Sequence, residues 1–284
     1  MAAEGTGTST GTGTGTDFIS SAGGTRLAYR SWPVHNADIT FAVIHGLGEH
    51  SGRYDRFAHG MARFQMATYA VDLRGHGQSE GQRGHIDSWS QWCDDAAAFV
   101  QHVQALVPGE VVPVGHSFGG AILLSTVLAR KLPHTKRFVV SSPALRLKIA
   151  VPGWKMSLGK AASRLAPRLS MSNGVDAATV SRIPEVVDAY RTDPLVHNKY
   201  TSRTGTELLR AQQDIIGRAA EITIPFLILA GTDDRLIDPQ GSVSLHEAAP
   251  TMSQLRLLEG RYHEPFNDRD NEEVFSMIAE WLRR

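Results

Sequence analysis

Short apolar runs alternate with helical patterns along the chain. Six such runs occupy residues 41–46, 67–72, 111–115, 138–142, 226–231 and 255–260. None of them alternates strictly between apolar and polar residues, as a strand with one face in water would. Continuous apolar runs are typical of parallel strands covered on both faces. We therefore expect an α/β fold with a mainly parallel central sheet flanked by helices, and an active site at the carboxyl ends of the strands.

The clearest helical pattern begins at Ser88, where Gln91 is placed to complete a capping box. Its apolar stripe consists of Trp89, Trp92, Phe99, Val100, Val103 and Leu106. The lone cysteine, Cys93, falls within this pattern, so we expect it to pack in the core rather than to act as a nucleophile. A single cysteine also excludes an intrachain disulfide, so the fold does not depend on an oxidising compartment.

One stretch interrupts the alternation of strands and helices. Residues 143 to 223 separate two strands, whereas a crossover with its helix needs only about 12–30 residues. The stretch is not of low complexity, because it carries Trp154, Leu158, Leu165, Tyr190, Leu208 and Leu209 at partly helical spacings. We predict a helical cap over residues 145–220, inserted into a core formed by residues 17–144 and 221–284.

Charge and hydropathy exclude several classes of protein. Lys and Arg number 29, as do Asp and Glu, so the formal net charge is zero, and a broad nucleic-acid surface needs a basic excess. No run of about 18 apolar residues is present to span a membrane. The Gly/Thr repeat at 1–16 has neither the basic start nor the apolar stretch of a secretory signal. We expect a disordered tail there and a cytoplasmic location.

The strongest chemical signal is Gly115-His116-Ser117-Phe118-Gly119. An apolar strand precedes it and an apolar helical pattern follows, which is the strand–turn–helix context that gives G-x-S-x-G its meaning. The turn places the serine hydroxyl above the sheet and aims the Phe118 N–H at an oxyanion. A second match at Gly77–Gly81, around Ser79, has no strand directly before it and no apolar helix after it. Ser117 is therefore the predicted nucleophile.

A serine needs an adjacent base, and chain order selects it among twelve histidines. In this context the acid follows the serine and the histidine comes last, each after a strand. His263 lies just past the final strand and is the predicted base. The acid belongs after the strand that ends at Gly231, where Asp233, Asp234 and Asp238 follow, and spacing does not decide between Asp233 and Asp234.

The turn His45-Gly46-Leu47-Gly48 ends an early strand, and its Leu47 N–H is the predicted second oxyanion donor. No cofactor or metal is expected. The glycines miss the dinucleotide pattern G-x-G-x-x-G by one residue, and His45, Glu49 and His50 do not fit a zinc helix motif.

Six motifs together resemble those of monoacylglycerol lipases. They are HGLGEHSGRY (45–54), VDLRGHGQSEG (71–81), GHSFGG (115–120), AYRTDPLVH (189–197), GTDDRLID (231–238) and YHEPFN (262–267). The resemblance covers about residues 20–284 and implies an α/β-hydrolase fold and a lipid ester substrate. It maps the catalytic acid to Asp234 and the oxyanion donors to Leu47 and Phe118. It also places Glu49, Arg53, His116 and Tyr190 at the glycerol end of the pocket, and Ile237 where mammalian relatives carry a reactive cysteine.

The cap adds one expectation about partners. Between Arg146 and Val175 the chain has no acidic residue, and its basic residues are Arg146, Lys148, Lys155, Lys160, Arg164 and Arg168. Trp154, Leu158, Ala162 and Leu165 fit one helical face, and such a basic amphipathic stretch can rest on anionic lipid. The alternative is a cap helix packed on the pocket with a solvated charged face.

The predicted function is hydrolysis of monoacylglycerols through an acyl-serine intermediate. A lysophospholipase or a general carboxylesterase is the alternative enzyme. A non-catalytic binding module on the same fold is the alternative of another class, since fold does not imply function; the intact serine, acid and histidine argue against it. Oligomeric state is not indicated by the sequence.

Overall fold

The computed structural model describes residues 15–21, 23–148, 159 and 161–284. Eight strands form its main sheet: β1 Thr16–Ser20, β2 Arg26–Trp32, β3 Ile39–Ile44, β4 Met66–Val71, β5 Glu110–His116, β6 Phe138–Ser141, β9 Phe226–Gly231 and β10 Ser253–Leu258. Their order across the sheet is β1-β2-β4-β3-β5-β6-β9-β10. All pairs from β4 to β10 are parallel, and β1 and β2 join the β4 edge as antiparallel strands.

Helices follow each of the parallel strands along the chain. They are α1 Asp55–Ala62, α2 Trp89–Leu106, α3 Phe118–Leu128, α4 Pro184–Thr192, α5 Ser202–Arg218, α6 Gln240–Ala248 and α7 Asn271–Leu282. Residues 161–165 are also helical, and β7 Ser170–Ser172 pairs with β8 Lys199–Thr201 in a separate two-stranded sheet. In the described part of the chain, no helix combines the length and apolar character needed to cross a membrane.

Each face of the sheet carries its own apolar core, as continuous apolar strands require. On one face Trp92 and Phe99 of α2 pack with Ile122 of α3 and Ile215 of α5. On the other face the core is formed by α1 and α7 together with alternate residues of the central strands, such as Phe41 and Val43. The predicted α/β fold with a mainly parallel sheet is confirmed.

All six predicted strands are present, displaced by at most a few residues at their ends. Two strands of the main sheet were not predicted, β1 and β2, whose short sequences TDFIS and RLAYRSW mix polar and apolar residues. The three-residue strands β7 and β8 of the separate sheet were not predicted either. Thr16, assigned to the tail, is the first residue of β1 and pairs with Arg30. Residues 1–14 of the predicted tail lie outside the described residues.

The predicted capping box at α2 does not form. Ser88 is the N-cap residue, but its side chain makes no capping bond; its hydroxyl lies 2.9 Å from that of Ser90. The Gln91 side-chain oxygen accepts instead from the N–H of Asp87, at 2.8 Å. Gln91 therefore caps the turn one residue before the position that the pattern indicated.

The chain between β6 and β9 has two structural roles. Its first part lies across the loops that follow the strands: the His197 N–H donates to the Gly48 carbonyl at 2.8 Å, and the Glu264 N–H donates to the Val180 carbonyl at 2.9 Å. In its second part, Ala211 and Ile215 of α5 are buried beside α3, in the core on the face of the sheet that carries α2 and α3. The assignment of residues 145–220 to one cap stays a prediction, and Trp154, Lys155, Leu158 and Lys160 lie outside the described residues.

Candidate active site

Ser117 occupies a strained turn between β5 and α3. Its φ and ψ angles are 52° and −116°, in a region that residues with a side chain rarely adopt. Backbone strain of this kind persists only where the surroundings impose it, and it is common at active sites. Here the turn reverses the chain abruptly, so that the serine lies at the carboxyl end of β5 and at the start of α3.

The flanking glycines are small because backbones cross closely at this turn. A Cβ atom at Gly119 would lie 2.2 Å from the carbonyl oxygen of Ile44 and 2.4 Å from that of His45. A Cβ atom at Gly115 would lie 2.6 Å from the carbonyl oxygen of Gly119. Both glycines of the motif are therefore required by the approach of α3 to β3 and β5.

Ser117, His263 and Asp234 form one hydrogen-bonded chain. His263 Nε2 lies 2.9 Å from Ser117 Oγ, and His263 Nδ1 lies 2.7 Å from Asp234 Oδ2. The histidine and the aspartate are buried. In the neutral imidazole, a proton on Nδ1 facing the carboxylate leaves Nε2 able to take a proton from the serine.

The structure distinguishes the three aspartates after β9. Asp234 Oδ1 accepts from the N–H groups of Leu236 and Ile237, at 2.8 and 2.9 Å, which holds the other oxygen toward His263. The exposed Asp233 has no part in this chain of hydrogen bonds. Asp238 accepts from Gln240 N–H at 3.0 Å and pairs with the Arg146 side chain, also at 3.0 Å, at the start of α6.

Charges around His263 favour its protonated form. Burial by itself lowers the pKa of His263, but Asp234, and after it Glu264 and Glu49, raise that pKa above the ordinary value. Burial likewise opposes ionisation of Asp234, yet its contact with His263 and its two backbone N–H donors lower its pKa. The arrangement therefore stabilises an imidazolium beside an ionised carboxylate.

The other nucleophile candidates are buried in structural roles. Ser79 Oγ donates to the Asp72 carbonyl at 2.5 Å and accepts from the Ala28 N–H at 2.8 Å. Cys93 is buried in α2, as predicted, and burial raises the pKa of its thiol to about 11. Neither group is ionised or accessible to a substrate at neutral pH.

The turn after β3 faces the serine. A Cβ atom at Gly46 would lie 3.3 Å from Ser117 Cβ, so the turn that carries Leu47 touches the strand–helix turn that carries Phe118. Neither the Leu47 N–H nor the Phe118 N–H donates to an acceptor among the described residues. The Phe118 ring is held edge-on by Trp89 and Trp92, with ring centroids 5.3 and 4.8 Å away.

The four residues predicted at the glycerol end lie together beside Ser117, His263 and Asp234, which we call the triad. The buried His116 has its ring centroid 4.9 Å from that of His263, and burial together with His263 lowers its pKa to about 4. Arg53 Nε donates to Glu49 Oε2 at 3.1 Å, and the Arg53 guanidinium lies 4.6 Å from the centroid of the Tyr190 ring. Contact with substrate stays a prediction for these residues.

Two polar residues near the site were not predicted. Glu264 follows the histidine directly and accepts from Arg53 Nη2 with both oxygens, at 2.8 and 2.6 Å. Tyr54 donates its hydroxyl to Glu49 Oε1 at 2.9 Å. Their positions in YHEPFN and HGLGEHSGRY indicated proximity to the site, but no spacing rule links Arg53 to a carboxylate 211 positions away.

The residues considered as zinc ligands are otherwise engaged. His45 Nδ1 lies 2.6 Å from the Gly46 carbonyl and Nε2 accepts from the Leu73 N–H at 2.9 Å, while His50 Nε2 lies 2.8 Å from Asp193 Oδ2. Within residues 15–21, 23–148, 159 and 161–284, no three His, Cys, Asp or Glu side chains are grouped to hold a metal ion.

Comparison with known proteins assigns the chain to a family. The model of the Hydrolase_4 family, described as serine aminopeptidase, S33, matches residues 35–270. The chain belongs to this family. One relative of this Hydrolase_4 chain, the monoacylglycerol lipase of Mycolicibacterium smegmatis, is 33% identical over 269 residues, which cover 93% of this chain and 95% of that relative.

The fold of the Hydrolase_4 chain also matches a solved structure. The crystal structure of Paleococcus ferrophilus monoacylglycerol lipase aligns with a TM-score of 0.80 at 32% identity, over 91% of this chain and 98% of that one. An uncharacterised abhydrolase domain-containing protein of Dictyostelium discoideum is 34% identical over 260 residues; the match covers 90% of this chain and 28% of that relative's length. The predicted resemblance to monoacylglycerol lipases and the α/β-hydrolase fold are confirmed.

Proposed function

We propose that this chain is a serine hydrolase that cleaves the ester bond of monoacylglycerols, releasing a fatty acid and glycerol through an acyl-serine intermediate. The observation that carries the proposal is the chain of hydrogen bonds from Ser117 through His263 to Asp234. Relatives named monoacylglycerol lipases, one of them 33% identical and matched over 95% of its length, support the choice of substrate.

Acylation begins at the serine hydroxyl. His263 Nε2 takes the proton as Ser117 Oγ attacks the ester carbonyl carbon, and the N–H groups of Leu47 and Phe118 hold the oxyanion. The tetrahedral intermediate then breaks its bond to the glycerol oxygen, which receives the proton from His263. Asp234 keeps the imidazole in the required tautomer and stabilises the imidazolium.

Deacylation repeats the same proton transfers with water as the nucleophile. His263 takes a proton from water, the resulting hydroxide attacks the acyl carbon, and collapse breaks the bond to Ser117 Oγ. The serine regains its proton from His263 as the fatty acid leaves. Every proton moves between groups of this chain, the substrate and water.

The substrate is tested by a hydrolysis panel. We expect the highest kcat/KM for monoacylglycerols, rising with acyl length by about fourfold per methylene until the apolar site ends, because each buried methylene is worth about 0.8 kcal/mol. Lysophosphatidylcholine of the same acyl length, p-nitrophenyl esters and an aminoacyl-peptide amide serve as comparisons. A higher kcat/KM for lysophosphatidylcholine would make the enzyme a lysophospholipase; a flat response to acyl length would make it a general carboxylesterase. Preferential cleavage of the amide would contradict the proposal.

We also propose that the region between β6 and β9 contacts anionic membranes peripherally and that the protein is cytoplasmic. Arg164 and Arg168 are exposed there beside Leu165, which is 87% exposed, and Leu169. Basic residues near an anionic surface contribute about 1 kcal/mol each. Arg164→Ala with Arg168→Ala should weaken binding to phosphatidylserine vesicles and leave hydrolysis of a soluble short-chain ester unchanged. Failure of the unaltered protein to bind such vesicles would refute this part of the proposal.

A further inference from the structure

A buried cluster of charges lies directly beside the triad. We call it the Glu49–Arg53–Glu264 network after its three members. Arg53 joins two carboxylates that come from different parts of the sequence, with Nε on Glu49 and Nη2 on Glu264. All three side chains are at most 7% exposed. One positive and two negative groups give the network a net negative charge when all are ionised.

One end of the network is attached to the oxyanion turn. Glu49 Oε1 accepts from the Gly46 N–H at 2.6 Å, one residue before Leu47. A Cβ atom at Gly46 would lie 3.0 Å from that same oxygen and 3.3 Å from Ser117 Cβ. The Glu49 carboxylate therefore fixes the backbone of the turn against the nucleophile.

The other end is attached to the loop that carries the base. Glu264 is the residue after His263, and Arg53 binds both of its carboxylate oxygens. Asn267 Nδ2 donates to Glu264 Oε2 at 3.1 Å, so the carboxylate has a second side-chain donor besides Arg53. One guanidinium thus ties the base loop to the oxyanion turn.

Stability alone is a poor explanation of this arrangement. Removing two carboxylates and a guanidinium from water is costly, and apolar residues of similar volume are often equally stabilising. The charged groups around His263 instead share one effect, which is to favour its protonated form. Asp234, Glu264 and Glu49 are the anions that raise the pKa of His263. His116 beside it is neutral above about pH 4 because burial lowers its pKa, and Arg53 is held between its two carboxylates.

We propose that the Glu49–Arg53–Glu264 network is a positioning element of the active site: it locks the oxyanion turn to the His263 loop, and its excess negative charge stabilises the imidazolium formed during catalysis. Glu264 is its principal positioning residue, acting through Arg53 and through its field at His263. The inference rests on the proposed serine chemistry of the site, though not on the identity of the acyl ester.

The test follows the rate at which an alkyl fluorophosphonate labels Ser117 as pH is varied. The serine oxygen attacks phosphorus, fluoride leaves, and the proton passes to His263, so the rate falls at low pH as His263 becomes protonated. Glu264→Gln removes one negative charge and keeps an acceptor for Arg53. We call the low-pH fall in the labelling rate the acid limb of the pH–rate profile. In Glu264→Gln the acid limb should move to lower pH by about half a unit to one unit. At a pH below the limb, the labelling rate divided by the plateau rate should then be about 3- to 10-fold higher in Glu264→Gln than in the unaltered protein. The plateau rate itself should fall, because the loops are less firmly held.

Three further variants separate this role from simple structural support. Glu49→Gln removes the charge at the other end and should move the limb in the same direction, whether or not Glu264→Gln folds. Glu264→Asp retains the charge and should keep the limb in place. Asp95→Asn is the matched control, because Asp95 is 1% exposed and accepts two 2.8 Å bonds from Arg74 away from His263; it should lower Tm without moving the limb.

The outcomes are distinct. A limb that stays in place in folded Glu264→Gln and Glu49→Gln would overturn the inference, whatever their Tm. A shift of the same size in Asp95→Asn would also overturn it. Labelling of the unaltered enzyme without monoacylglycerol hydrolysis would overturn the proposed substrate and leave this inference standing, whereas absence of labelling would overturn both.

Discussion

Replacing Asp234 by asparagine tests which aspartate is the acid of the triad, because Asp233 beside it offers a matched control. In Asp234→Asn the side-chain oxygen would still accept from the N–H groups of Leu236 and Ile237, which bind Asp234 Oδ1 at 2.8 and 2.9 Å. The new NH₂ group would then face His263 Nδ1, where the carboxylate now accepts at 2.7 Å. Nδ1 would have to accept, and the ring proton would move to Nε2.

The magnitude follows from that change of tautomer. Nε2 lies 2.9 Å from Ser117 Oγ, and once it carries the proton it donates to the serine instead of taking the serine's proton. The charge that stabilises the imidazolium is lost as well. The corresponding change in the type case of this triad lowers kcat about 10⁴-fold, which is about 5.4 kcal/mol in activation free energy. The fold should be preserved, because both backbone bonds remain.

The assay is kcat/KM for one monoacylglycerol, measured with Tm for Asp234→Asn and Asp233→Asn. Asp233 is exposed, and the carboxylate hydrogen-bonded to His263 is that of Asp234, so Asp233→Asn should stay within about threefold of the unaltered enzyme, as surface substitutions usually do. Equal losses in the two variants, or a larger loss at Asp233, would refute this assignment of the acid. A large fall in Tm for Asp234→Asn would refute the tautomer argument.

Three other perturbations have definite expectations. Ser117→Ala should lower hydrolysis about 10⁴- to 10⁶-fold with Tm retained, whereas Ser79→Ala should lose about 1–3 kcal/mol of stability with its two hydrogen bonds and keep its activity; the reverse pattern would contradict the assignment. Gly119→Ala should destabilise the fold by more than about 3 kcal/mol, because its Cβ would meet the Ile44 carbonyl at 2.2 Å, while Gly217→Ala in α5, with open space around it, should be stabilising by up to about 1 kcal/mol; equal Tm values would show that α3 is not tightly held. Millimolar EDTA should leave the rate unchanged, because His263 activates the nucleophile; loss of activity with rescue by zinc would contradict the mechanism.

Local patterns in the sequence identified the central strands and the serine turn. Continuous apolar runs mark strands buried on both faces, and β3, β5 and β9 are such strands. The Ser117 turn combines a strand, two glycines and a helix within a few residues. By contrast, β1 and β2 are held by antiparallel pairing at the edge of the sheet. A short segment of mixed polar and apolar residues does not predict such pairing.

Features that depend on distant pairing required the structure. Spacing left Asp233 and Asp234 equivalent, and the choice of Asp234 rested on the resemblance alone. The structure supplies the physical reason, because the N–H groups of Leu236 and Ile237 hold the Asp234 carboxylate toward His263. The contact between Arg53 and Glu264 joins positions 211 residues apart, for which one sequence contains no periodic signal. At Ser88 the capping-box pattern was misleading, because the Gln91 side chain accepts from the N–H of Asp87, one residue before the expected donor.

The most direct test of the central claim identifies the atom that attacks. The protein would be treated with an alkyl fluorophosphonate, with and without a competing monoacylglycerol, and digested for peptide mass spectrometry. The account predicts one adduct, on Ser117, with the labelling rate reduced by the monoacylglycerol. An adduct on Ser79 or on another residue, or labelling of Ser117 that monoacylglycerol does not slow, would contradict it.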